Sequence, residues 1–115
     1  MNAKKLFEVA TEGGSICVFR IKNKLKEVWF FYIVEEMGLE EENILPVKQH
    51  SDLYSSFNEV FVALLSQYRV FYFFPLLVDV AYRETVYYYL KAFLSIGDEV
   101  PFDKERWETI LRKRL

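Results

Sequence analysis

Apolar and polar positions alternate along the first third of the chain and then change to helical spacing. Residues 6–11 and 16–21 read as two β-strands around Glu12, Gly13, Gly14 and Ser15, a hairpin turn whose Gly-Gly pair can take positive φ. In the second run Cys17, Phe19 and Ile21 make a more apolar face than Ile16, Val18 and Arg20, so the first set is expected to face the core. Lys22, Asn23 and Lys24 mark the next turn. Residues 27–34 form a third strand in which Val28, Phe30 and Tyr32 alternate with Trp29, Phe31 and Ile33, leaving both faces apolar as in a central, doubly covered strand. Connections this short permit only antiparallel pairing, hence a meander. The pattern breaks at 35–43, where five glutamates surround Gly38, and the expectation is a loop or short helical turn. A fourth strand is expected around 47–50, with Pro46 placing its start at an edge or irregular position.

Helical spacing begins at Ser56, which with Glu59 has the separation of a capping box. Phe57, Val60, Phe61, Leu64, Leu65 and Tyr68 then line one side of an amphipathic helix. Phe71 to Phe74 are four consecutive aromatic residues, and Pro75, lacking an N–H, is expected to end an extended segment over 70–74. Asp79 caps a second helix with Tyr82, Val86, Tyr89, Leu90 and Phe93 inward and Glu84, Tyr88, Lys91 and Ser95 outward, stopped by Gly97. A third helix follows Asp103, with Phe102 and Trp107 as a hydrophobic staple, Ile110 and Leu111 on its stripe, and Arg112, Lys113 and Arg114 complementing its carboxyl end. These elements predict an α+β fold: an antiparallel sheet of three to four strands with about three helices packed mainly on one face, in a single domain over 1–115.

Composition narrows the function classes. A hydrophobic fraction of 52% with 18% aromatic residues opposes disorder. A net charge of −2 supplies no basic field for nucleic acid. The longest apolar run, residues 70–78, is far short of the roughly 20 residues of a membrane span. Lys4, Lys5, Leu6, Phe7 and Glu8 lack the apolar region of a signal peptide, and one cysteine makes no internal disulfide, so a cytoplasmic location is expected.

Chemistry-bearing groupings are sparse. His50 has no second histidine or cysteine at ligand spacing and reads as a surface or loop residue. Cys17 lies in an alternating strand without a local base, Gly13-Gly14 is followed by no lysine-serine pair, and Asp98 and Glu99 are merely adjacent. No catalytic, metal or cofactor residue is expected, and the chain reads as a non-enzyme. The sharpest functional feature is the glutamate cluster Glu35, Glu36, Glu40, Glu41 and Glu42, either a solvated loop or a negative patch that docks a basic partner. Tyr88, on the polar side of the second helix, is a surface tyrosine or an interface anchor.

Two stretches carry a resemblance. Glu12, Gly13, Gly14, Ser15 and Ile16 lead to Phe19 and Arg20; later the helix over 57–68 is followed by Phe74-Pro75, Val78, Tyr82 and Val86. Over about half the chain these resemble small bacterial proteins of the immunity type, partners of polymorphic toxin systems. The chain departs from that pattern at Arg69-Val70 and Asp79-Val80-Ala81, where such proteins often carry a tryptophan and a His-Pro-Glu-like segment. The resemblance implies an intracellular protein that binds a toxin domain and blocks it without catalysis, a basic one if the glutamate cluster docks it, with Arg20 as a contact or a salt-bridged strand residue. The alternative is a structural or self-associating protein, a homodimer rather than a monomer; a small enzyme ranks third.

Overall fold

A computed structural model describes residues 3–40, 43–95 and 104–112, with the backbone alone at 37–40, 43–47, 94 and 95. Strands β1 (Ala3–Ala10), β2 (Gly14–Lys22), β3 (Val28–Glu40) and β4 (Asn43–His50) form an antiparallel meander, and β5 (Phe74–Val78) joins it beside β1. The order is β4-β3-β2-β1-β5, a sheet of five strands rather than three to four. Helices α1 (Phe57–Gln67), α2 (Arg83–Ser95) and α3 (Lys104–Arg112) complete the α+β architecture. No described helix is long and apolar enough to cross a membrane.

Side chains directly opposite in an antiparallel ladder share a face. One row runs Phe7, Val18, Tyr32 and another Val9, Ile16, Val34, all buried. Onto these rows pack Phe57, Val60, Phe61 and Leu64 of α1, Val86 and Leu90 of α2, and Trp107 and Leu111 of α3. Phe7 meets Phe61 edge-on at 5.1 Å and stacks on Trp107 at 5.9 Å, so α1 and α3 converge on β1. A bulge at Leu6 allows consecutive residues, Leu6 and Phe7, both to be buried.

The stripe of α1 is inward as its spacing predicts, with Leu65 and Tyr68 partly buried at its flank. Ser56 is its N-cap and accepts from the Glu59 N–H at 3.1 Å. Glu59 reaches back to the N–H and hydroxyl of Ser55 rather than to Ser56, so the reciprocal half of the cap sits one residue earlier. On α2, Val86 and Leu90 are buried while Tyr89 and Phe93, and Tyr82 just before the helix, pack partly against the core. Asp79 accepts from the Ala81 N–H at 3.0 Å, but it caps a short 3₁₀ turn, Val80–Tyr82, that precedes α2. Gly97, Phe102, Asp103, Lys113 and Arg114 lie outside the described residues.

Four expectations are corrected. Residues 35–40 continue β3, pairing Glu35 with Lys48 and Glu40 with Asn43, because the backbone ladder with β4 overrides the poor strand propensity of glutamate and Gly38. Residues 70–73 are not a strand: Val70–Tyr72 is a 3₁₀ turn, closed by the Phe73 N–H donating to the Val70 carbonyl, with Val70 and Phe71 both fully buried. Pro75 does not end a strand but lies within β5, at the sheet edge and next to a bulge at Leu76, where its missing N–H is tolerated. Phe74 consequently emerges to solvent, 42% exposed, with the Arg106 guanidinium 3.6 Å above its ring. The covered face of β2 is Ile16 and Val18, not Cys17, Phe19 and Ile21. Finally, neither Gly13 nor Gly14 has φ in the left-handed region; the turn closes through the Thr11 N–H donating to the Gly14 carbonyl at 3.0 Å.

Candidate functional site

The three described helices cover one face of this sheet, and the face that the described residues leave uncovered is built by the alternate residues of β2 and β3. Its rows run Ile21 with Trp29, Phe19 with Phe31, Cys17 with Ile33 and His50, and Ser15 with Glu35 and Lys48. Phe19 stacks on Phe31 at 5.4 Å and 18°, and Phe31 on His50 at 6.3 Å and 28°. These ring contacts are strand to strand, unlike those of Phe7, Phe30 and Tyr32, which reach the helix layer. Trp29, Phe19, Phe31, Ile21 and Ile33 are half-buried on this face. The patch continues over β5 through the exposed Leu77, opposite Glu8.

Charge pairs frame this apolar strip. Lys5 meets Glu8 at 3.3 Å on one side and Lys48 meets Glu35 at 4.0 Å on the other. Open to solvent in part, they contribute little to stability. They place both signs of charge around the strip, the arrangement of an interface rim.

Cys17 lies inside this face, buried, its Sγ donating to Glu8 Oε2 at 3.4 Å. Burial, then the hydrogen bond and charge of Glu8, push its thiol up to about 11. The thiolate is the reactive form, so at pH 8 alkylation of native Cys17 should run about a hundredfold slower than in the urea-unfolded chain. The native rate should climb about tenfold per pH unit toward pH 11. Equal native and unfolded rates at pH 8 would rule out this protection.

At the border of the open face lies a hollow of about 260 Å³ with a mostly polar wall. It forms where β4 ends at His50 and the chain crosses back along β3: the Ser51 N–H donates to the Tyr32 carbonyl, and Tyr54 bridges Phe30. The other wall is the carboxyl end of α1, where Gln67 Oε1 accepts from the Tyr32 hydroxyl at 2.8 Å. Ser51 Oγ accepts from the Tyr32 N–H and donates to the Asp52 carbonyl, both at 2.8 Å. Among the described residues no three His, Cys, Asp or Glu side chains group as metal ligands.

The residues expected to bind a partner are not brought together. Strand geometry splits the glutamates: Glu35 is on the open face and Glu36, exposed, has the opposite parity. Glu40 is at the end of β3 with only its backbone described, and Glu41 and Glu42 lie outside the described residues. Tyr88 is 67% exposed on α2, in the helix layer away from the open face. Arg20 has the parity of Val18 and Tyr32, and its Nη1 donates to the Tyr82 hydroxyl at 3.3 Å, tying β2 to the start of α2. Of the missed residues, Trp29, Phe31 and Ile33 announce themselves in the sequence as part of a strand apolar on both faces, read there as doubly covered, and Phe19 as part of the more apolar face of the second strand, read there as core.

No family model matches this chain, and neither the curated proteins nor the solved structures give a match.

Proposed function

We propose that this chain is a non-enzymatic protein-binding module, an inhibitor of immunity type that docks a toxin domain on its open sheet face. The observation that supports this reading is the strip of Trp29, Phe19, Phe31, Ile21 and Ile33 left uncovered by the helices and framed by the Lys5–Glu8 and Glu35–Lys48 pairs. Aromatic side chains at the centre of a rimmed patch are the groups that dominate binding energy once a partner excludes water from them. Glu35, on the open-face row beside Lys48, adds a carboxylate at the hairpin end of this face that favours encounter with a basic partner.

The experiment is co-purification of the chain with the product of its adjacent reading frame, as wild type and as Phe19→Thr/Phe31→Thr. Threonine retains strand propensity while removing both rings. Stoichiometric co-elution of the wild type is expected, with affinity reduced roughly 30-fold or more in the double variant. A partner held equally by both proteins would overturn the assignment of the face. Light scattering over a dilution series separates the alternative: a dimer persisting at nanomolar concentration, lost in the double variant, would assign the face to a second copy and sink the inhibitor reading.

A further inference from the structure

The hollow between residues 49–54 and the end of α1 is one-sided in its electrostatics. Among the described residues Asp52 is its one carboxylate, and no lysine or arginine lines it. Gln67 ends α1 and Tyr68 is its C-cap, so the helix presents the partial negative charge of its last carbonyls here, with no basic residue in its last turn. Arg69, next in the chain, is turned to the Tyr72 hydroxyl at 2.7 Å. Tyr32, Tyr54 and Tyr68 also line the hollow, with Tyr32 and Tyr68 meeting edge-on at 6.3 Å. Burial first, then the proximity of Tyr68, Tyr54 and Asp52, holds the Tyr32 phenol above its ordinary value, so a further negative charge is disfavoured at this point.

Such a wall repels anions and suits a cation that can donate several hydrogen bonds in a plane. A guanidinium offers five donors in a rigid fork and stacks on aromatic faces, whereas an ammonium is a compact, more strongly hydrated charge. The volume of about 260 Å³ lies just below the range of roughly 300–1,000 Å³ typical of pockets for drug-sized ligands, a scale suited to one long side chain. We infer that this hollow is a guanidinium site, which takes an arginine side chain presented by the protein docked on the neighbouring open face. His50 joins the two, stacking on Phe31 while also lining the hollow. The source of the arginine rests on the proposed function; the site itself does not.

The test uses the ¹⁵N-labelled full chain at pH 8, titrated with N-acetyl-arginine methylamide, its citrulline analogue, which keeps the shape without the charge, and its lysine analogue. The arginine probe should shift the amides of Ser51, Asp52, Tyr54, Gln67 and Tyr68 saturably. The citrulline probe, and the arginine probe on Asp52→Asn, should bind roughly tenfold more weakly. Asp52 is exposed, so this variant should keep the wild-type melting temperature. Equal shifts by arginine and citrulline, no shift around the hollow, or tighter binding of lysine than arginine would overturn the assignment. Because the probes are free in solution, failure here leaves the partner experiment on Phe19 and Phe31 standing, and failure there leaves this one standing.

Discussion

Trp107→Ala is expected to lower stability by about 3–5 kcal/mol, enough to unfold much of a marginally stable domain. The side chain is fully buried, stacks on Phe7 and meets Phe71 edge-on at 5.0 Å. Its indole N–H is shared between the carbonyls of Phe71 at 3.1 Å and Phe73 at 3.2 Å. Truncation therefore opens a large cavity at the junction of α3, β1 and the 3₁₀ turn, and strips two carbonyls of their donor. Trp107→Phe separates the terms: it keeps most of the apolar volume but forfeits the N–H, for an expected loss of about 1–3 kcal/mol. Urea unfolding followed by circular dichroism gives both values. A loss below about 1 kcal/mol for the alanine variant would mean that α3 is not docked as described. The contrast with Phe19→Thr/Phe31→Thr is informative, because those rings contribute to the open face and their loss should weaken binding far more than folding.

This tryptophan also shows where sequence reading stops. Periodicity identifies it as an inward residue of the last helix, because a stripe of Trp107, Ile110 and Leu111 is a local pattern. That it closes the carbonyls of a turn more than thirty residues earlier is a long-range fact without local trace. The same division holds elsewhere. The first three strands, α1 and the inward stripe of α2 were legible because spacing and capping residues are short-range signals. The strand through Glu35, Glu36 and Glu40 was not, because pairing with β4 decides it against propensity. The open face was half legible: alternation shows that β3 is apolar on both sides, but only the number and placement of helices decide which side stays uncovered. The polar hollow was invisible, being assembled from residues 32, 49–54 and 67–68, which meet only after β4 has turned back on β3. Arg20 illustrates the reverse case, a residue prominent in the sequence whose observed contact is a hydrogen bond to Tyr82 on the helix side.

Gly14→Ala is expected to destabilise by about 3 kcal/mol, while Gly13→Ala should change stability by no more than about 0.5 kcal/mol. The two glycines are neighbours in one turn, yet their surroundings are opposite. A Cβ on Gly14 would stand 1.8 Å from the Glu35 carbonyl oxygen and 2.8 Å from its carbon, whereas one on Gly13 would meet nothing within 4 Å. The obstructing atoms are backbone, so no rotamer change relieves the clash; β2 must part from β3 where Gly14 pairs with Glu36. Positive φ is not the reason for either glycine, which makes the pair a clean test of close strand approach against turn conformation. The displaced segment carries Glu35, so whatever native Gly14→Ala remains should also lose the Glu35–Lys48 pair. Chemical denaturation of both variants decides the matter: Gly14→Ala within about 0.5 kcal/mol of wild type, or Gly13→Ala as damaging as Gly14→Ala, would show that β2 and β3 do not approach this closely.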